Sequence, residues 1–394
     1  MLPRERVLAA LAHREADRVP LDIGGTDVTG INVQTYRRLL PLLDYDVPAE
    51  VPILDIVTQL AAIDERVLER LDAHCRGFYP AASSAWRFVQ EEDAEARWFT
   101  DEWGITWRMP LPHGYYYDIA RHPLAGATLE DVRRHPWPDP TDPARRAGLR
   151  EALQAARSSG RHAVILSGIS GGGPMELGAW LAGFSNFYAA LVADPALADE
   201  LLDRALEIKL RFWQAVLPEV GDYVDVISES EDLGVQDRLM ISPRTFRTHI
   251  KPRLRQLIQG IKALAPQAKV LLHSDGAIVP ILSDLIEIGV DILNPVQVSA
   301  AGMGDTAFLK REFGRDLVFW GAIDTQHVLP FGTPAEVESE VRRRIDDLAP
   351  GGGYVMASVH NIQADVPAAN VIAMWEAWRC HGHKALQHPR VNVV

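Results

Sequence analysis

Lys269-Val270-Leu271-Leu272-His273-Ser274-Asp275-Gly276 is an apolar run that ends in a histidine, a carboxylate and a glycine. The pattern predicts a strand over 269–274, in which residues i and i+2 project to the same side. His273 and Asp275 therefore aim an imidazole and a carboxylate at one point, where the strand runs out into a loop. A second apolar run, Tyr354-Val355-Met356-Ala357-Ser358-Val359, ends in the same way at His360. If the two strand ends are neighbours, the three side chains form a two-histidine, one-carboxylate set that suits a divalent metal. The plainer reading has equal weight: a histidine at a strand end is commonly a hydrogen-bonded wall residue.

Outward from this stretch, short apolar runs alternate with amphipathic ones. Further strands are expected at 19–24, near 75–79, and at 163–168, 223–228, 290–294, 317–322 and 354–359. A helical pattern covers 57–73. Asp194-Pro195, Ser242-Pro243 and Thr333-Pro334 open helices over 194–217, 242–264 and 334–347, each a polar cap followed by an N1 proline. About eight strands with intervening helices predict an α/β fold of the (β/α)8 TIM barrel type. A doubly wound sheet would carry a dinucleotide fingerprint. Gly168-Ile169-Ser170-Gly171-Gly172-Gly173 follows a strand but completes neither a phosphate loop nor a GxGxxG, and reads as a flexible loop at the barrel mouth. Residues 80–145 are rich in Trp, Tyr, Asp and Pro, and are expected to form a small β-rich, aromatic-rich insertion within one domain spanning 1–394.

Composition narrows the function classes. With 47% hydrophobic and 24% charged residues the chain has ample material for a core. A net charge of −13 argues against a nucleic-acid footprint, which needs a basic face. There is no 18-residue apolar stretch, and Met-Leu-Pro-Arg-Glu-Arg at the start lacks the apolar core of a signal peptide. The two cysteines, Cys75 and Cys380, lie far apart and in no CxxC pair. A reduced, cytoplasmic protein that meets neither nucleic acid nor membrane is expected.

In a barrel, side chains at the C-terminal strand ends converge on the active site. That rule nominates Asp22, the trio Glu229, Glu231 and Asp232, and also Gln297 and Asp324, beside His273, Asp275 and His360. For Asp232 and Asp324 the plain alternative is a helix cap. Tyr115 and Tyr116 are candidates for the substrate wall, packing being the commoner role. Ser167-Gly168 forms no GxSxG elbow, and neither cysteine sits beside a histidine-bearing strand end, so nucleophilic catalysis is poorly supported. Glu229 and Glu231 are paired carboxylates, but two apart in a loop they make a weak case for glycoside hydrolysis.

The opening Pro3-Arg4-Glu5-Arg6-Val7 with Asp17-Arg18-Val19-Pro20 resembles the start of uroporphyrinogen decarboxylase-like proteins. So do Ser228-Glu229-Ser230-Glu231-Asp232-Leu233-Gly234, the His273-Ser274-Asp275-Gly276 turn and Leu293-Asn294-Pro295-Val296-Gln297. Gly321-Ala322-Ile323-Asp324 and His360-Asn361-Ile362-Gln363-Ala364-Asp365-Val366-Pro367 extend the likeness over nearly the whole chain. The resemblance implies a (β/α)8 barrel and one of two chemistries. True decarboxylases hold substrate carboxylates with an N-terminal Arg-Gln-Ala-Gly-Arg-Tyr motif; here the region reads Ile23-Gly24-Gly25-Thr26-Asp27-Val28-Thr29, without either arginine.

The other branch moves methyl groups between a corrinoid protein and a thiol, amine or methoxy compound, with zinc held by His-X-Cys and a distant Cys. Against that pattern His273 matches the first ligand, while Asp275 and His360 stand where the thiolates would be. Carboxylate and imidazole in place of two thiolates make a harder site, better suited to polarising oxygen than to activating sulfur. The resemblance thus implies a methyltransferase with zinc or another divalent metal on His273, Asp275 and His360. Glu229 or Glu231 would supply a further ligand or handle a proton, and a methylated small molecule would be the donor. With no Asp-X-His-X-X-Gly corrinoid-binding signature expected in this chain, cobalamin would come on a partner corrinoid protein. Barrels of this kind also often pair as homodimers. A lyase in the same barrel, with Asp22 or Asp55 as its acid–base group, and a non-catalytic binding barrel are the alternatives.

Overall fold

The computed structural model describes residues 1–383. Seven strands, β1 (Cys75–Phe78), β2 (Ala163–Ser167), β3 (Val226–Ser230), β4 (Lys269–His273), β5 (Ile292–Asn294), β6 (Val318–Ile323) and β7 (Tyr354–Ser358), lie side by side in sequence order. Every pair is parallel. Crossover helices such as Pro195–Val220, Lys251–Leu264 and Pro334–Leu348 cover the outside. The result is a TIM-barrel-like α/β fold.

The eighth stave is short. Leu21 bridges in parallel to Met356 of β7. Asp22 N and Met356 N close that side with 2.9 Å bonds to Met356 O and Pro20 O, and His74 N donates to Leu21 O on the other. The strand expected over 19–24 is thus reduced to residues 20–22, which bridge β7 to the edge of β1. Pro20 has no N–H to extend the ladder. Beyond it the Asp22 carboxylate accepts from Gly25 N and Thr29 Oγ1, turning the chain away at Gly24, whose φ is +74°.

Three further expectations shift. β3 begins at Val226 rather than 223, because Gly221–Tyr223 is a 3-10 turn; Glu229 and Ser230 therefore lie inside the strand. The helix over 57–73 shrinks to Glu65–Arg70, capped by the Asp64 side chain. Before it, Ile53–Asp55 and Leu60–Ala61 form an antiparallel pair around a turn that Asp55 Oδ1 closes by accepting from Thr58 N and Oγ1. Over 242–264 a π-turn at Phe246–Ile250 interrupts the helix just before Pro252, which has no N–H for the carbonyl four residues back.

Alternation sorts the barrel side chains. Ile165, Val226, Leu271, Ile292, Val318 and Val355 pack inside with Val7, Ala10 and Leu11 of the helix Pro3–Leu11, which fills the lower end. Their neighbours Leu166, Ile227, Leu272 and Phe319 face the helices. By the same parity Ser228, His273, Asn294 and Trp320 point inward and Glu229 points outward.

The segment read as an insertion contains a four-stranded antiparallel sheet, Glu91–Glu92, Ala96–Thr100, Thr106–Pro110 and Asp118–Arg121. It leans on the barrel through Trp107, whose ring meets Trp180 edge-on at 5.9 Å. Arg145 adds a two-pronged ion pair with Glu102, at 2.9 and 2.5 Å.

Candidate metal centre and its chamber

The ends of β4 and β7 do meet. One ligand atom each from His273, Asp275 and His360 lies within 4.8 Å of the others, and the two imidazole rings are 5.3 Å apart, inclined at 68°. β4 and β5 are in register with His273 opposite Asn294. That pairing puts the Asn294 amide oxygen 2.7 Å from His273 Nδ1, and Asn294 Nδ2 in turn donates to Trp320 O. The second bond fixes which end of the amide is oxygen. Nδ1 of His273 must then carry the proton, and its Nε2 lone pair faces the cluster. His360 is held in its neutral form, because burial and the neighbouring His273 outweigh Asp275 and push its pKa down. A neutral imidazole is what a metal needs. Asp275 Oδ1 is buried with no hydrogen-bond partner. A buried carboxylate oxygen facing two imidazoles without a donor is the position a cation would occupy, so the residues present fit a divalent metal.

The cluster forms one end of a chamber of about 420 Å³. His273 and His360 lie on its floor, and Trp86, Phe99, Trp103, Trp107 and Trp180 on its walls. Asp27, Asp55 and Asp232 also line it. So do Asp101, Glu102 and Glu176, while among the described residues no lysine or arginine does. Asp232 Oδ1 accepts from Asp275 N at 2.8 Å and lies 4.0 Å from His273 Nε2. Burial, and then Asp275, push its carboxyl up to about 6. Glu176 is driven up by burial and by Asp232 and Glu231, while its Oε2 accepts from Gly173 N, Ser230 Oγ and Asp232 N.

The other nominated residues have different positions. Glu229 faces away from the chamber floor, its carboxylate 2.9 Å from Lys209 Nζ and 2.5 Å from Trp213 Nε1, both on the helix Pro195–Val220. Glu231 accepts from Met175 N and Glu176 N at the start of the helix Pro174–Ala182, and burial pushes its pKa up to about 8. Asp22 is buried and takes bonds from Gly25, Thr29 and Trp320, which ties it to barrel closure instead of acid–base work. Gln297 braces the turn by accepting from Gly276 N. Asp324 accepts from Gln326 N and His327 N, a loop cap. Tyr115 and Tyr116 are 44% and 45% exposed and stand outside the chamber wall. Asp55 alone among the proposed acid–base groups reaches the chamber.

Two sequence patterns also need correction. Asp-X-His-X-X-Gly does occur, as Asp72-Ala73-His74-Cys75-Arg76-Gly77. His74 there is fully buried beside the eighth stave, its Nδ1 accepting from Leu21 N at 3.0 Å and its ring against Trp378, so it has no face for a corrinoid. Likewise Gly168-Ile169-Ser170-Gly171-Gly172 has GxSxG spacing, and Ser170 carries a φ of +65°. Its hydroxyl donates to Gly172 O, and the nearest amine is Lys209 at 3.5 Å. Lys209 is paired with Glu229 and also donates to Ile169 O and Gly172 O, so it is no base. The same bonds pin this loop, which the glycines alone suggested was flexible.

What the sequence did not reveal is Asp27, Glu176 and which rings of the aromatic-rich insertion form the wall. Glycines around Asp27 masked a site position. Glu176 sits in a helix start whose signal, Gly-Pro, is purely structural. The tryptophans were visible as a cluster, but their facing the barrel mouth depends on tertiary packing.

A barrel with a metal-competent cluster at the C-terminal strand ends defines a class of catalytic scaffold. The chain belongs to the uroporphyrinogen decarboxylase (URO-D) family, whose model matches residues 118–381. Among solved structures it is similar to a methyltransferase from Methanosarcina mazei, with 19% identity, coverage of 96% of this chain and 98% of that one, and a TM-score of 0.61. That likeness carries the fold. Native xylanase 10B from Thermotoga maritima aligns with 60% of this chain and 91% of its own at 11% identity, but a TM-score of 0.34 supports no comparison. No curated protein sequence matches. Among the described residues no helix is long and apolar enough to cross a membrane.

Proposed function

We propose that this protein is a metal-dependent methyltransferase that moves a methyl group between a small methylated compound and a corrinoid carried by a separate protein. The observation that carries the reading is the unpartnered Asp275 Oδ1 in a cluster with the imidazoles of His273 and His360 at the chamber's end. The likeness to the Methanosarcina mazei methyltransferase supports it. A divalent cation held by His273, Asp275 and His360 supplies Lewis acidity toward the atom bearing the methyl group, and this oxygen- and nitrogen-rich donor set favours an oxygen substituent. The chain's own residues do the rest. Asn294 orients His273, burial lowers the pKa of His360, and the tryptophans give the chamber an apolar wall beside the cluster. The decarboxylase alternative lacks support, since six carboxyl groups and, among the described residues, no lysine or arginine line the chamber, an environment hostile to a polycarboxylate.

Metal analysis tests this. Purified protein should carry about one equivalent of zinc or another divalent ion, lost in His273→Ala with unchanged circular dichroism. Methyl transfer by metal-free protein would refute it.

A further inference from the structure

The chamber has a composition that the methyl-transfer reading does not require. Its walls combine indole and phenyl rings with carboxyl groups, and the described lining contains no lysine or arginine. Two of the rings pack edge to face against each other. Trp107 and Trp180 stand at 81° to one another, 5.9 Å apart, forming two sides of a corner. The indole N–H of Trp107 donates to Asp101 Oδ2 and that of Trp86 to Thr100 O, which removes them as donors to a ligand. Gly172 leaves the space into which Trp180 leans; a Cβ there would lie 2.9 Å from the indole.

The carboxyl groups are not equivalent. Glu102 is neutralised by Arg145 from behind, and Asp101 is satisfied by Trp103 N, Ile105 N and Trp107 Nε1. Among the described residues, Asp27 and Asp55 have no cationic partner within ion-pair distance. Asp55 Oδ1 serves Thr58, leaving its second oxygen free, and Asp27 has only Ser167 Oγ at 3.5 Å. Burial, followed by repulsion from Asp55, holds the Asp27 carboxyl above its ordinary range. Two carboxyl groups without a cation, on one wall of a chamber that also carries indole rings, favour a positively charged guest.

We infer that the substrate carries an ammonium group, bound between Asp27, Asp55 and the Trp107–Trp180 corner, while its methyl-bearing oxygen faces His273 and His360. The ligand class is a cationic methyl ether. A quaternary nitrogen giving up its own methyl fits less well, because it has no lone pair to present to the His273–Asp275–His360 cluster. Carboxylated methoxy compounds are disfavoured by the same field. This assignment rests on the methyl-transfer reading for the orientation of the ether, but not for the cation site.

Equilibrium binding to the full chain, without corrinoid or turnover, tests it. The probes are 4-methoxyphenethylamine, the neutral 2-(4-methoxyphenyl)ethanol and the anionic 3-(4-methoxyphenyl)propionate, followed by tryptophan fluorescence and calorimetry. The amine should bind roughly tenfold or more tighter than the alcohol, and the acid weakest. Asp27→Asn and Trp180→Leu should each lower the amine-to-alcohol ratio several-fold. That ratio is taken within one protein sample, so a loss of folded fraction does not mimic the effect. An alcohol that binds as tightly as the amine, or a ratio unmoved by both substitutions, overturns the inference. Cation preference without methyl transfer would leave this site standing and remove the methyltransferase reading. Methyl transfer from neutral or anionic ethers with equal ease would do the reverse.

Discussion

Asn294 shows how much of the centre depends on one residue outside the ligand set. Its oxygen fixes the His273 tautomer and its nitrogen is fixed by Trp320 O. Removing such an orienting partner typically lowers metal affinity by about 10–100-fold. Asn294→Ala should therefore weaken metal binding by that factor in a competition titration on folded protein, and also lower the melting temperature of the metal-free protein, because His273 Nδ1 and Trp320 O lose a buried partner. Equal affinity in wild type and variant would show that Asn294 orients nothing. The His-X-Asp pair was legible in the sequence because an expected strand over 269–274 sends both side chains one way, although β4 ends at His273 and the following turn places Asp275. Asn294 was legible only as part of a family-like motif, since its role depends on the β4–β5 register. Glu229 and Glu231 misled for the complementary reason: β3 extends through residue 230, so parity sends Glu229 to the helices.

At the scale of elements, the outward Glu229 joins β3 to the helix Pro195–Val220. The ion pair with Lys209 has both side chains only 1% exposed. Removing one partner of such a pair leaves an uncompensated buried charge and costs about 3–5 kcal/mol, while removing both is far milder. Lys209→Met should lower the urea midpoint sharply, and adding Glu229→Gln should restore much of the loss. A double variant no better than the single one would count against a charge effect. The start of β2 offers a pH test. Burial, then Arg76, lower His162 from 6.5 to about 4. Between those values the unfolded chain binds the proton and the folded one does not. Folded stability from this group is thus present above pH 6.5 and lost as pH falls toward 4. The loss of melting temperature across that window should be smaller in His162→Gln than in wild type, and parallel curves would sink the assignment. Six staves were readable from apolar runs, while Cys75–Phe78, with Arg76 and Gly77 inside it, was expected only from its place after the helical pattern. The eighth was overcalled and the helix at 57–73 overextended, because local pattern cannot show that the Asp22 carboxylate and Asp55 Oδ1 close turns.

At the scale of the whole molecule, the remaining question is whether the aromatic sheet between β1 and β2 is part of the barrel's folding unit. Composition alone marked 80–145 as different, and nothing in that composition says whether it unfolds separately. The packing points one way. Phe99, Trp103, Trp107 and Tyr117 belong to the same continuous buried cluster as Leu166, Leu272 and Phe319 of the barrel. The buried Arg145, 2% exposed, clamps Glu102 from the segment leading into β2. A sheet that shares its apolar core with the barrel has no separate core to retain when the barrel opens. Unfolding followed by tryptophan fluorescence, weighted toward the insertion, and by far-ultraviolet circular dichroism, weighted toward the helices, should therefore give one coincident transition. Arg145→Met leaves Glu102 without its cation next to the chamber, and should move both signals together to lower denaturant. If the variant's fluorescence transition instead came first, with the helical signal unmoved, the sheet would be an independent module and the chamber it completes would be assembled by docking, not by folding.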